Sequence, residues 1–389
     1  MEQIVNQIRK SCALHHHDRI PVVSKDNKPL MPCKPSKVKK LLNSGKAKSR
    51  WSKLGIFYIQ LTIEIMSKYN TNQYFTLAND PGSKFDGFAL ACKYVQLRLM
   101  AIMPEEIADK RKSRNKGTGK MGNRVNLRRA RRYRNTRRRP WRGRSPGPKW
   151  IAPSQLAKVL FRLAIVKELC KLFPVDHFIV EDVKFNHYSK RYGKYFSTVE
   201  IGKTRYYNEL RTLGDLALIE GWQTKSWRED AGLKKTSKKD AEIPESHAND
   251  AVAMLTGLAD IKPDNKSPFW VYRRPEFVRR SLHRQKFQKG GIRPLFGRTC
   301  NGSKLRKGDY VETELNSAIK NKDGKPAKNE KGKIKRKTKI IRGWVCGLPT
   351  LKTLKVGIMD SQCERIGQFT PSKVHLLKRS GNILWKKII

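Results

Sequence analysis

Asp80, Glu181, His247 and Asp250 are the residues whose types and surroundings could do chemistry together. Asp80 closes an apolar run, Tyr74-Phe75-Thr76-Leu77-Ala78-Asn79-Asp80, and Pro81-Gly82 turns the chain into a second run after Gly87. This reads as a β-hairpin with a carboxylate at the end of its first strand. Glu181 closes His177-Phe178-Ile179-Val180, a short buried strand. Asp250 lies in Pro244 to Leu255, read as a helix capped by Ser246, and His247 lies one turn before it with Ala251 and Met254 on the same face. If strands 74–80 and 177–181 pair in parallel, both carboxylates emerge at one sheet edge, and a helix packed on that sheet can bring Asp250 to them. Close carboxylates repel unless cations compensate. Oxygen ligands suit Mg²⁺, with Mn²⁺ as the alternative. Two such ions about 4 Å apart would activate a water and stabilise the leaving 3′ oxygen in phosphodiester hydrolysis. His247 could orient or deprotonate that water, or stabilise the transition state. Each acidic residue alone is as well explained as a cap or a turn residue; their order and setting carry the reading. Asp86, just past the turn, reads as a turn residue rather than a fourth acidic neighbour.

The setting is a strongly cationic chain. Its 389 residues hold 85 Lys and Arg against 33 Asp and Glu, a formal charge of +52. Such a protein repels itself unless it meets a polyanion, and nucleic acid is the natural partner. No apolar run of about 18 residues argues for a membrane span, and the N-terminus lacks the apolar core of a signal peptide. The expected location is therefore the cytoplasm, at the nucleoid when bound to DNA. Seven scattered cysteines with no C-x-x-C argue against a zinc ribbon or a disulfide framework.

The elements that must position the four residues follow from the patterning. Residues 1–20 form an extension with little pattern. Residues 21–68 read as a small α/β unit: a strand at Val22-Val23, a helix from Ser36 to Asn43 capped by Ser36, and a strand over 56–65. Segments 74–80, 85–92 and 94–103 predict an antiparallel meander within 69–105. Residues 106–150 break the pattern, for 110–149 contain 18 Lys or Arg and no acid. Arg124, Arg128, Arg129, Arg131, Arg132, Arg134, Arg137, Arg138 and Arg139 form its densest part and are the candidate backbone-binding residues, since arginine suits fork-like phosphate contacts. Region 151–262 begins with an amphipathic helix, Ser154 to Phe173, whose face is Leu156, Val159, Leu160, Leu163, Val166 and Cys170. It continues with a helix from Thr204 to Glu220, a strand from Trp222 to Trp227 and a charged loop over 228–243. Residues 263–389 read as a β-rich, barrel-like domain with short strands after Tyr310. Trp270, Tyr272, Arg273 and Arg274 are candidates there for stacking and phosphate contact, with core packing an equal reading for Trp270.

The motifs resemble a known family. Asn79-Asp80-Pro81-Gly82-Ser83-Lys84, Ile179-Val180-Glu181 and His247-Ala248-Asn249-Asp250-Ala251 are similar to the three split motifs of RuvC-type nucleases with an RNase H-like fold. The Arg-rich segment resembles the bridge helix of RNA-guided nucleases. Lys28-Pro29-Leu30-Met31-Pro32-Cys33, with Leu41-Leu42-Asn43-Ser44-Gly45-Lys46-Ala47, resembles the PLMP domain of the IscB family. The likeness covers most of 21–260. One departure stands out: only 65 residues separate Glu181 from His247, and no His-rich signature of an HNH nuclease lies between them. The nearer likeness is thus the HNH-less IsrB branch, encoded by transposon-like elements.

The resemblance implies an α/β fold: a split RuvC domain with an inserted bridge helix, a PLMP domain and a C-terminal β-rich domain. It implies an RNA-guided endonuclease, a monomeric ribonucleoprotein with an ωRNA, that nicks the displaced non-target strand of double-stranded DNA carrying a short flanking motif. Asp80, Glu181 and Asp250 would hold two metal ions and His247 would complete the catalytic set. Two other readings remain open: a guide-free RuvC-like resolvase or transposon nuclease, and a catalytically silent RNA-guided DNA-binding protein.

Overall fold

The computed structural model describes residues 19–64, 74–92, 95–105, 151, 153–182, 198–236, 242–259, 261, 268–275, 305–318, 336–347, 355–381 and 383–388. These form a mixed α/β protein whose chain divides into two compact units, Met1–Tyr272 with Lys387–Ile389, and Arg273–Lys386. Among the described residues no helix is long and apolar enough to cross a membrane.

The first unit opens with a four-stranded sheet. Strands β1 (Ile20–Val23), β2 (Pro29–Cys33), β3 (Ala47–Trp51) and β4 (Phe57–Leu61) lie in the order β2-β1-β4-β3, with helix α1 (Pro35–Asn43) between β2 and β3 in the chain. Ile20, Val22, Val38, Ala47, Ile59 and Leu61 make its core. Ser36 is not the cap of α1. Pro35 takes the first helical turn, where its missing N–H costs nothing, and Lys34 precedes it without a side-chain bond.

A larger sheet follows. It holds β5 (Phe75–Asp80), β6 (Phe85–Ala91), β7 (Val95–Ile102), β8 (Val175–Glu181), β9 (Asp215–Ile219) and β10 (Phe269–Arg273), with β16 (Leu384–Ile388) at one edge. The order is β16-β10-β7-β6-β5-β8-β9. Strands β5, β6 and β7 form the expected antiparallel meander, whereas β8 runs parallel to β5 and β9 parallel to β8. Asn79 pairs with Val180, so the register carries Asp80 and Glu181 to the same edge.

Helices α2 (Pro153–Cys170), α3 (Lys203–Arg211), α4 (Gly221–Asp230) and α5 (Pro244–Ala259) complete this unit. Four expectations change here. The helix expected over 204–220 stops at Arg211, because Leu213-Gly214 breaks it and Asp215-Leu-Ala-Leu-Ile219 pairs with β8 as a parallel strand. The stretch expected as a strand, Trp222 to Trp227, lies in helix α4. A capping box starts that helix, with Glu220 and Gln223 each accepting from the other's backbone N–H. In α2 the buried residues include Ala157, Val159, Phe161, Leu163, Ile165, Val166 and Leu169. Leu160 is 47% exposed, so the buried surface is wider than the one stripe expected and is displaced from it. Ser246 does not cap α5, which begins two residues earlier at Pro244.

The strand alternation sorts residues between the two faces of the large sheet. Ala78, Ala89, Ala91 and Ile179 pack against Ala251, Val252, Met254 and Leu255 of α5. Small side chains on the sheet let the helix approach closely. The tightest point is Gly87, where a Cβ would lie 1.9 Å from the backbone oxygen of His247. Trp270 and Tyr272 of β10 are 9% and 0% exposed and stack at 6.2 Å, so they serve the core rather than a nucleic-acid surface.

The second unit is an antiparallel sheet of β11 (Tyr310–Ala318), β12 (Arg336–Gly347), β13 (Val356–Met359), β14 (Arg365–Phe369) and β15 (Val374–Lys378). Among the described residues its order is β14-β13-β12-β11-β15, a linear sheet whose edge strands do not pair with each other, in place of the barrel-like domain expected. Leu305, Val311, Val345, Val356, Ile358 and Val374 form its core.

The close approach at Gly87 sets a test of the sheet–helix seam. Gly87→Ala must push α5 off the sheet or bend β6. The expected loss is about 1–3 kcal/mol or more, read as a lower urea midpoint. A midpoint equal to that of the unchanged protein would show that the seam is looser than this register requires.

Candidate functional site

The site is built from the edge of the large sheet. Asp80 lies two residues beyond Ala78 and Glu181 two beyond Ile179, so both carboxylates point to the face that α5 covers. Helix α5 brings Asp250, which is 1% exposed. One carboxylate oxygen from each of Asp80, Glu181 and Asp250 lies within 4.8 Å of the others. Sequence reasoning named these three, and the structure brings them together. The donor set is all oxygen and triply anionic, which fits a hard divalent cation such as Mg²⁺.

The electrostatics reflect that crowding. Burial, then the neighbouring charges of Glu181 and Asp250, push the Asp80 carboxyl well above the usual carboxylate range. Burial and Asp250 likewise raise Glu181, while Thr224, Lys235 and Arg228 oppose the rise. Both oxygens of Asp250 are held by cations: Arg228 Nη1 donates to Oδ1 at 2.7 Å, and Lys235 Nζ contacts Oδ2. Gly221, Thr224 and Arg228 recur at three- and four-residue spacing on α4 and face the cluster. A Cβ at Gly221 would lie 3.2 Å from Glu181 Oε1. Sequence reasoning missed this wall because it took 222–227 for a strand. The signal that could have found it is the Glu220…Gln223 capping pair after a strand.

His247 lies one turn before Asp250, partly exposed, with its ring 4.5 Å from that of Phe85. It flanks the carboxylates and supplies none of the three clustered donor atoms. Arg124, Arg128, Arg129, Arg131, Arg132, Arg134, Arg137, Arg138 and Arg139 lie outside the described residues.

A second charged group stands behind Asp80, on the other face of the sheet. Asp86 is fully buried within β6 rather than a turn residue. Arg162 of α2 grips both its oxygens, with Nη2 donating to Oδ1 at 2.9 Å and Nε to Oδ2. Asp86 Oδ1 also accepts from the Gly82 backbone N–H at 2.8 Å. The Arg162 guanidinium lies 5.2 Å from the ring centre of Tyr206, whose hydroxyl donates to Asn79 Oδ1 at 3.0 Å. Asn79 Nδ2 donates in turn to the Gly87 oxygen at 3.0 Å. Residues 79 and 82 are thus fixed on either side of Asp80, and the Pro81-Gly82 turn cannot drift.

Residues 20–201 match a family model described as RRXRR protein, a span a little under half of the chain. The chain itself reads Arg128-Arg129-Ala130-Arg131-Arg132 within that span. No curated protein matches the chain.

Two measurements test this account of the site. Arg162→Met strands the buried Asp86 charge, with an expected cost of about 3–5 kcal/mol; Asp86→Leu combined with Arg162→Met should recover much of it. A double variant no more stable than the single one would refute the pairing. The second concerns pH. The folded protein binds the Asp80 proton more tightly than the unfolded chain does. The stability from this group is therefore present at acid pH and is lost as pH rises from the ordinary carboxylate value, about 4, through the raised folded value. In chelator, Asp80→Asn is expected to raise the thermal midpoint at neutral pH and to change it little near pH 4. A lower midpoint at neutral pH would contradict the charge crowding.

Proposed function

We propose that this protein is an RNA-guided endodeoxyribonuclease that nicks the non-target strand of double-stranded DNA from a single RuvC-type site. The observation that carries this reading is the convergence of Asp80, Glu181 and Asp250 within 4.8 Å, at the edge of a parallel strand pair, in a chain of charge +52. An isolated trio of carboxylates would suit many divalent-ion sites. In so cationic a protein the substrate they face is polyanionic. The match to the RRXRR model supports the family reading, because that domain is associated with IscB-type nucleases.

In this reading Asp80, Glu181 and Asp250 hold two Mg²⁺ ions. Bound there, the ions supply a water activated at neutral pH and charge stabilisation at the leaving 3′ oxygen. The chain's own residues do the rest. Arg228 holds Asp250 from α4, the Asp86–Arg162 pair holds the turn that carries Asp80, and His247 orients the attacking water or takes its proton. The arginines of 124–139 bind the backbone of guide and heteroduplex, and the guide itself reads the sequence. The segment between Glu181 and His247 contains α3, β9 and α4, elements of the large-sheet unit itself. That favours the HNH-less IsrB pattern, in which one site cuts one strand. Residues 263–389 would contact the flanking motif or the RNA scaffold.

The test is guided cleavage of supercoiled plasmid by the purified ribonucleoprotein. The expected product is a nicked circle on the non-target strand, dependent on Mg²⁺ and on the chosen guide. Asp80→Ala should abolish nicking, a loss of at least about a hundredfold, while RNA binding stays intact. Guide-independent cutting would point to a resolvase-type nuclease instead. Normal nicking by the Asp80→Ala variant would overturn the site assignment.

A further inference from the structure

Arg228 and Lys235 both contact Asp250, yet they are built differently. Arg228 extends from the last turn of α4 and its side chain is 15% exposed. Lys235 comes from the irregular stretch after that helix, and its side chain is 43% exposed. Its backbone is nonetheless fixed on both sides. The Lys234 oxygen accepts from Asn249 Nδ2 at 2.6 Å, and the Thr236 N–H donates to Ser246 Oγ at 2.8 Å. Both partners sit in the first turns of α5, beside Asp250. This is what Ser246 does in place of capping its helix. Two bonds from one helix thus deliver Lys235 to the carboxylates, and only its flexible stem has to turn for the ammonium to leave.

The charge around Lys235 has a plain meaning. Its ammonium reaches Oδ2 of Asp250, whose Oδ1 is already held by Arg228. Three carboxylates against two cations leave a single formal negative charge. One divalent cation already overshoots that balance if Lys235 stays. An ammonium and a hard divalent cation seek the same oxygens and repel each other at short range.

We propose that Lys235 is a built-in, displaceable counter-cation of the carboxylate cluster, competing with divalent ions for Asp250 and so setting the affinity of the site for them. This rests on the reading of the cluster as a divalent-ion site. Arg228, held by its helix, keeps Asp250 in place throughout. Lys235 leaves it as the ion binds, and the cost of that exchange is subtracted from the affinity of the site. A cluster of like charge is thereby kept folded when ions are scarce, at the expense of tighter binding when they are present.

The test is calorimetric titration of the full protein with Mg²⁺, and with Mn²⁺ for a stronger signal, without DNA. Lys235→Met keeps the stem and removes the charge; Lys235→Arg keeps a charge. The Met variant is expected to bind the ion more tightly, on the order of tenfold after allowance for solvent screening at a partly exposed side chain. The Arg variant should stay near the unchanged protein. In chelator the Met variant should melt at a lower temperature, and the ion should restore more of its stability than it does in the unchanged protein. Equal or weaker ion binding by the Met variant would overturn the proposal, the weaker result marking Lys235 as a group that merely holds Asp250 in position. Asp80→Ala separates the underlying reading. If the unchanged protein and that variant bind ions alike, the cluster is no ion site, and the reading fails before Lys235 is reached.

Discussion

Three carboxylates held within 4.8 Å of one another are the constraint on which this structure depends. Like charges at that distance, away from water, oppose folding. The protein answers with proton affinity, with cations and with rigid backbone. Asp80 and Glu181 hold their protons more tightly than ordinary carboxyls. Arg228 and Lys235 neutralise Asp250. The strands that carry Asp80 and Glu181 are adjacent and parallel, so neither carboxylate can retreat without breaking the ladder. Such crowding costs stability, and carboxyls perturbed in this way cluster at functional sites.

The alternation of β5 divides the work between the two faces of the sheet. Asn79 points to α3 and joins the buried network of Tyr206, Arg162 and Asp86. Asp80, the next residue, points to α5 and the other carboxylates. One side chain fixes the backbone and its neighbour uses the position so fixed. The Asp86–Arg162 pair is costly as a stability device, because two charges have left water for it. Its geometry explains its presence better than its energy does. It ties β6, α2 and the Gly82 N–H into one rigid corner.

Much of this was legible in the sequence, and the limits have physical causes. The meander, the strand ending at Glu181 and the helix bearing His247 and Asp250 follow from apolar runs bounded by turn residues. Period 2 and period 3.6 differ clearly over those lengths. The reading departs from the structure over 204–230, where the apolar residues fit no single period and tertiary pairing decides. Leu216, Leu218 and Ile219 form a strand because β8 offers an edge, and Gly221 to Asp230 a helix because Glu220 and Gln223 cap it. Local propensity cannot see an edge whose paired residues lie 38 positions upstream. Asp86 departs from a turn residue for a related reason: its partner Arg162, which explains its burial, lies 76 residues away. Thr224, Arg228 and Lys235 were invisible as site residues because the elements that present them were misassigned or read as loop.

The elements hardest to read are those that support the reactive groups, and this has a physical basis. Carboxylates that converge on one point must stand at strand ends or on a helix face, positions that leave a local trace in sequence. The groups that hold them need only reach, and reach comes from long side chains on whatever element packs nearby. Arg228 meets Asp250 from a helix and Lys235 from the irregular stretch after it, yet both grip the same carboxylate. Their difference in function comes from how they are mounted: one on a helix that cannot move without disturbing Trp227 where it packs against Gly257, the other on a short segment tied to α5 by two hydrogen bonds. In a chain so rich in Lys and Arg, what distinguishes a cation that serves the site from one that covers the surface is therefore its backbone anchorage, which no count of charge reveals.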